Sequence, residues 1–538
     1  MNKKHLHRFL LLIVSTFTII FIYNQSWSGS SKGAYNFKPA RMGMVSITIE
    51  ESQDHVNILA SEEFQGRQAG TPGQWLAAQY IANEFSNYEL VPKGDNDKYF
   101  QNFQIMQSDL HEVAFWIERN NFDSTETLEF TLKSDFIPLN FTGENSVTAP
   151  VVFAGYGITA PEYNYDDYKN IDATGTVVLV LRHEPQENDP RSIFKGSRLT
   201  KHSFFEVKAK NARDHGALAM LLVTDPASGH NGLEPHGFWP SLYPEKNTKG
   251  EWRLGGNTEP NRFPAAWISV QAAKAILQYS GKSLIDLQKS IEGSMSPKSF
   301  VIRNLRAHLK ISLKKETRNT QNVIGLLEGS DPELRDEVVI VGAHYDHIGI
   351  KNGKIYYGAD DNASGTAAVL EIAEAFGEMP FRPKRSILFI AFSAEELGML
   401  GSAFYVQRPA IPLNQTVAMI NLDMVSRNQE NRVSVIGSDR SPELHEINLA
   451  ANEEIGLEIV YNGEKYFNRS DQANFAKHKI PVIFYNTEVH KDYHRPTDQP
   501  EKINPEKLAR IARLAFLVAW EVANSDRTPT FQRFEPAH

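Results

Sequence analysis

The sequence predicts an α/β protein: a mixed, largely parallel central sheet with helices on both faces, plus an inserted strand-rich domain. Three observations lead there. From about residue 300, apolar runs at 337–343, 385–392, 417–423, 432–436 and 481–485 alternate with helical patterns at 363–377, 395–406, 441–455 and 505–524. Strands that are apolar on both faces, set between amphipathic helices, belong to a sheet covered on both sides. A length of 538 residues exceeds one ordinary core and predicts two or more domains. Between 130 and 298 the texture changes to short strands separated by polar turns.

The N-terminus reads as a targeting segment. Lys3, Lys4, His5, His7 and Arg8 precede an apolar run from Phe9 to Tyr23, then the small residues Ser26, Ser28, Gly29 and Ser30. That is the layout of a secretory signal over 1–30. As a helix the run reaches about 22 Å, short of the roughly 30 Å hydrocarbon core. Export with cleavage is expected, to a periplasmic or extracellular location; an uncleaved anchor is the alternative. The chain has no cysteine, so disulfides and lipid attachment through cysteine are excluded.

Residues 45–90 read as helical, over 49–59 and 75–85, with Gly66, Gly70 and Gly73 in the turn between. In the inserted segment, 151–157 and 177–181 are strands, 205–215 a helix and 217–223 a strand. Residues 226–262 are rich in Gly, Pro, Asn and His and read as loop; 263–268 resumes strand and 270–279 helix. The expected domains are therefore 44–129 with 299–525 as one discontinuous body, 130–298 as the insert, and 526–538 as a tail. The net charge of -9, without a dense Lys/Arg block, argues against a nucleic-acid surface. The oligomeric state is open.

Five segments of the C-terminal half carry the chemistry: Gly342–Asp346, Gly358–Asn362, Ser393–Glu396, Asn421–Met424 and Tyr493–Pro496. They offer two histidines, several carboxylates and no thiol, a set suited to zinc with oxygens free to bridge two ions. His344 ends one predicted strand, Glu395 and Glu396 follow another, and Asp423 ends a third. In open α/β sheets, ligands bind beyond the carboxyl ends of the strands. Each motif alone has a plainer explanation. Asp360-Asp361-Asn362 could cap the next helix, paired glutamates are common on helix surfaces, and His490 competes with His494. Convergence of separate clusters on one crevice outweighs these. His347 suggests an HxHxDH hydrolase pattern, but Gly342 stands where its first histidine belongs. No HExxH occurs, and no G-x-S-x-G elbow stands between a strand and a helix.

In this order, the five segments resemble metallopeptidase family 28, the co-catalytic zinc aminopeptidases and glutamate carboxypeptidases. The resemblance covers roughly 45–110 and 300–525, including Leu59–Arg67 with Gly70-Thr71. Phe153–Ile158 and Lys208–Ala212 resemble the protease-associated domain often inserted in that family. The resemblance implies the zinc exopeptidase fold and two zinc ions per chain. Asp360 would bridge them, His344 and Asp423 would complete one site, and Glu396 with His494 the other. Glu395 would be the general base, Asp346 would orient His344, and a cis peptide would follow the bridging residue at Asp360–Asp361. Peptides would be the substrates. One departure is Ser470-Asp471-Gln472, where many relatives have Ser-Asp-His beside the substrate pocket. The leading expectation is an aminopeptidase. The alternatives are a carboxypeptidase using Arg427, Arg469, Lys491 or Arg495, a one-zinc glutaminyl cyclase, and a non-catalytic receptor-like relative.

Overall fold

Strands buried on both faces build the central sheet. The computed structural model describes residues 35, 37–120, 124–226, 251–256 and 262–532; the signal expected over 1–30, most of the loop expected over 226–262 and the end of the expected tail lie outside them. After a short helix at Arg41–Ser46 come helices α1 (Ile49–Leu59) and α2 (Pro72–Asn87). They are followed by the long strand β1 (Phe100–Asn120), then β2 (Phe136–Pro138), β3 (Asn145–Phe153) and β4 (Val177–Leu181). Helix α3 (Phe205–Asp214), β5 (Ala219–Val223), β6 (Ala265–Ile268), α4 (Val270–Leu277) and α5 (Leu284–Ser294) complete the insert. The chain returns through β7 (Phe300–Leu327) to β8 (Val338–His344), α6 (Gly365–Glu378) and β9 (Ser386–Phe392). Next are α7 (Leu400–Gln407), β10 (Thr416–Leu422), β11 (Arg432–Ile436) and α8 (Pro442–Ile455). The last elements are β12 (Glu458–Val460), α9 (Gln472–Lys477), β13 (Val482–Asn486) and α10 (Pro505–Asn524).

The body's strand order is β12-β11-β13-β10-β8-β9-β7. The pairs β8–β9, β8–β10, β10–β13 and β11–β12 are parallel, while β11–β13 and β7–β9 are antiparallel. Alternate residues of β8 face opposite ways. Val339, Val341 and Ala343 pack with residues of α1, α6 and α10, whereas Val338 and Ile340 join Tyr405 of α7 and Phe475 of α9. Helices thus cover both faces, as the apolar runs require.

The insert has cores of its own. Val177, Leu179 and Leu181 of β4 point into one with α4 and α5, and Val178 and Val180 into another with α3. The two motifs noted in its sequence form one structural device. Buried Asp167 accepts hydrogen bonds from the Tyr156 and Ile158 amides and the Tyr165 hydroxyl. Lys208 donates to the Tyr156 carbonyl and Asn211 to that of Gly157. Gly155 sits at φ +53, and a Cβ there would lie 2.2 Å from Asp167 Oδ1. These residues hold a loop.

The expected insert boundaries at 130 and 298 need correction. β1 and β7 pair continuously from Phe100–Val323 to Arg119–Leu305 and cross from one body to the other. Phe115, Ile117, Ile302, Leu305 and Leu309 already belong to the insert's core, so the boundary falls inside the two strands. The insert also reaches back: Trp252 and Leu254 pack beside Ala394 and Leu400 in the body. The helix expected over 395–406 begins only at Leu400. Ala394 and Met399 take left-handed backbone (φ 59 and 56), which puts Glu395 and Glu396 on a loop between β9 and α7.

Arg67 ties the N-terminal helices to the C-terminal half. It is fully buried, and its guanidinium donates to the carbonyls of Leu59, Tyr345, Tyr357 and Gly358. Burial pushes its pKa down, to about 10, which leaves it charged at neutral pH. Arg67→Met would remove all four bonds; the Gly358 carbonyl keeps one from the Ala363 amide, while the other three carbonyls lose theirs, each costing about 1–3 kcal/mol. A loss of at least about 3 kcal/mol in stability is expected, read from the midpoint of urea unfolding at unchanged m. A loss within about 0.5 kcal/mol, typical of surface changes, would contradict this account.

Candidate metal centre

Four strand ends and one turn meet at the carboxyl edge of the sheet. His344 closes β8, Asp423 follows β10, Glu395 and Glu396 follow β9, and the loop after β13 brings His490 and His494. The turn Ala359–Ser364 leads into α6 and contains a cis peptide at Asp361–Asn362.

The decisive residue is Asp361. Its Oδ1 lies 3.5 Å from His344 Nε2, which is itself 3.3 Å from Asp423 Oδ1. Its other oxygen, Oδ2, lies 3.1 Å from His494 Nε2, and Glu396 Oε2 lies 3.2 Å from the same nitrogen. One carboxylate therefore faces two separate sets of ligand atoms. Tetrahedral zinc with bonds of about 2.0–2.1 Å sets its ligands about 3.3 Å apart, the separation found in both sets. Asp423 Oδ1 is buried without a hydrogen bond. The donor set fits two zinc ions.

Asp360 does not enter this cluster, contrary to the sequence expectation. Its Oδ1 accepts from the Ser426 amide (2.9 Å) and hydroxyl (2.7 Å), and its Oδ2 lies 3.4 Å from His490 Nε2. The reason is local. Buried Asp498 accepts from the amides of both Asp360 and Asp361 through one oxygen, at 3.0 and 3.2 Å. With the backbone pinned there, the two side chains leave on different sides. His490 goes with Asp360 and does not compete with His494. The cis bond likewise falls one residue later than expected.

Around this centre lie groups that position others. His344 Nδ1 is 3.2 Å from the Asp346 carbonyl and 3.8 Å from its Oδ1. That Oδ1 accepts from the Glu395 amide at 3.0 Å, so Asp346 links the imidazole to the glutamate loop. Glu395 Oε2 is 3.9 Å from His344 Nε2. Burial drives the Glu395 carboxyl well above its ordinary range, against the pull of His344. Burial opposes charge on Glu396 too, but His347 and His494 outweigh it and hold that carboxyl low.

His347 sits 2.6 Å from Glu396 Oε1 through Nδ1. That is a hydrogen-bond length, shorter than the edge between two ligands of one zinc, so His347 steers Glu396. Its only signal in sequence was its place in the failed HxHxDH pattern. Nothing in the sequence marked Asp498. Gln472, expected beside the substrate pocket, is fully buried: it accepts from Asn421 Nδ2 and donates to the Phe467 carbonyl, both at 2.7 Å.

Residues 322–519 match the description of peptidase family M28, and residues 147–276 that of the PA domain. The chain is an M28 peptidase with an inserted PA domain. This M28 metallopeptidase is 29% identical to Aminopeptidase YwaD of Bacillus subtilis, over 79% of its own length and 80% of that protein. It is 25% identical to the Glutamate carboxypeptidase 2 homolog of Caenorhabditis elegans over 55% of its length, spanning 40% of that longer protein. Among solved structures, the aminopeptidase from Aneurinibacillus sp. strain AM-1 matches 92% of the M28 peptidase with a TM-score of 0.50 and 21% identity, covering 98% of that chain. The likeness supports the fold.

Proposed function

We propose that this M28 peptidase is an exported di-zinc aminopeptidase. The observation that carries the two-metal reading is Asp361, whose oxygens face His344 with Asp423 on one side and His494 with Glu396 on the other. Asp361 would be shared between the two ions, and those four residues would complete their sites. Zinc held there would polarise the scissile carbonyl and lower the pKa of water. Glu395, anchored through its amide to Asp346, takes a proton from the attacking water and returns it to the leaving amine. Asp346 keeps His344 oriented. Export rests on the basic and apolar pattern of residues 3–30; among the described residues no helix is long and apolar enough to cross a membrane.

Electrostatics favours a free amino terminus over a free carboxylate. Asp346, Asp361, Glu395, Glu396, Asp423 and Asp471 gather at or beside the centre, an acidic surrounding that suits an ammonium better than a further carboxylate. Arg427, a candidate carboxylate anchor, pairs with Asp492 at 2.8 Å and lies 3.7 Å from Asp498. The name of the Bacillus relative points the same way. A glutamate-carboxypeptidase activity is the second reading, carried by the names of relatives such as the nematode one. His344, which cyclase-type relatives generally lack, argues against a cyclase.

Hydrolysis of a panel of aminoacyl amides and N-blocked peptides, with and without chelator, tests this. Aminoacyl amides should be cleaved, N-blocked peptides should not, and chelation should abolish turnover until zinc is restored. Cleavage of N-blocked peptides from their C-terminal end would reverse the choice.

A further inference from the structure

A cation stands at the rim of the acidic centre. Arg469 is exposed on the turn before α9, and that turn is tied on both sides of it. The Arg469 amide donates to the Tyr466 carbonyl at 2.9 Å, and Ser470 Oγ accepts from Asn421 Nδ2 of β10 at 2.8 Å. The guanidinium lies over the Tyr466 ring, 5.5 Å from its centroid, and reaches to within 3.5 Å of the Tyr493 hydroxyl. The Tyr493 ring stacks on that of His494, with centroids 3.8 Å apart, so a single side chain separates Arg469 from a ligand of the metal centre. Burial, then Asp361, Glu396 and Asp423, push the Tyr493 hydroxyl above its ordinary value, and Arg469 pulls the other way. Among the described residues no carboxylate pairs with this guanidinium, whereas Arg427 is engaged by Asp492.

A guanidinium braced on an aromatic face loses little freedom when it pairs, and its planar fork fits a carboxylate through two parallel bonds. We propose that Arg469 binds a carboxylate of the peptide being cleaved, and so makes this M28 peptidase prefer substrates that carry one near the scissile bond. The proposal rests on the aminopeptidase reading above. The acidic groups around the metal ligands favour the substrate ammonium and repel a substrate carboxylate unless a cation meets it. Arg469, held against Tyr493 rather than among the ligands, meets it without displacing them. Two parts of a peptide offer that group: the C-terminal carboxylate of a dipeptide, one residue past the scissile bond, and the side chain of an Asp or Glu next to that bond. The chemistry is the same in both.

Matched substrate pairs read the preference on the zinc-loaded full chain. Leu-Ala against Leu-Ala-amide tests the C-terminal carboxylate. Leu-Glu-amide against Leu-Gln-amide, and Glu-Ala-amide against Gln-Ala-amide, test side chains on either side of the bond. In at least one pair kcat/KM should favour the carboxylate by about tenfold, the scale of one hydrogen bond to a charged group. Arg469→Gln should bring that ratio close to one through KM. Arg469→Lys, which keeps the charge but not the fork, should retain part of it. If Arg469 only braced Tyr493, Arg469→Gln would slow both members of a pair alike and leave the ratio standing, which would overturn the proposal. Ratios close to one for every pair in the parent protein would overturn it too, with the aminopeptidase reading intact. Failure to cleave any member of the three pairs would instead bring down that reading, and this proposal with it.

Discussion

Glu395→Gln is expected to lower kcat by about 10²–10⁴-fold while both zinc ions stay bound. Glutamine keeps the volume and can hydrogen-bond, but it cannot accept a proton at neutral pH. The loop should hold its place, because its anchor is the bond from the Glu395 amide to Asp346, which the substitution leaves intact. Residual turnover comes from metal and binding alone, so the loss should sit toward the upper end of that range. Glu396→Gln should behave differently. Its carboxylate lies 3.2 Å from His494 and accepts from His347 at 2.6 Å, and a neutral amide serves both roles poorly. Zinc should fall with activity, as read by elemental analysis of the purified variant. Loss of zinc from Glu395→Gln with retention in Glu396→Gln would show the two roles exchanged.

The second large effect separates neighbouring aspartates. Asp361→Asn removes the one carboxylate that faces both ligand sets, so both metals and essentially all activity should be lost. Asp360→Asn alters a group that touches Ser426 and His490 but no member of the cluster. Residues that only orient a metal site typically cost about 10–100-fold in metal affinity or activity, and Asp360→Asn should stay within that range. Zinc titration of the two variants, followed by competition with a chelator, gives the comparison. An Asp360→Asn protein that cannot hold zinc, beside an Asp361→Asn protein that can, would restore the earlier expectation for the bridge.

The strands of the body were legible because their apolar runs are continuous, and His344, Glu395, Glu396, Asp423 and His494 follow from their ends. The choice between Asp360 and Asp361 was not. Two adjacent identical side chains differ only in where the backbone sends them, and Asp498, more than 130 positions away, decides that. The helix start after β9 was misjudged because Glu395–Leu400 has good helical composition, while left-handed Ala394 and Met399 turn the chain first. The long strands β1 and β7 were overlooked although their burial alternates, as at Phe103 and Ile105 or Leu305, Ala307 and Leu309. Their outward positions carry so many charges that the pattern reads as polar chain.

The attachment of the insert determines how it could be removed. It grows from the body as a branch on a hairpin, and Gln107 lies directly opposite Glu316 on one rung of that ribbon. Cutting at 130 and 298 would strand Phe115, Ile117, Leu305 and Leu309 on two arms with nothing left to cover them. Severing both strands at one rung and joining them by a two-residue turn would instead close the ribbon as an ordinary hairpin, leaving β8, β9 and the metal-binding loops untouched. What such surgery would strip away is the wall of Trp252 and Leu254 beside the Glu395 loop. The branch is therefore separable from the chemistry but not from the shape of the cleft in which that chemistry takes place.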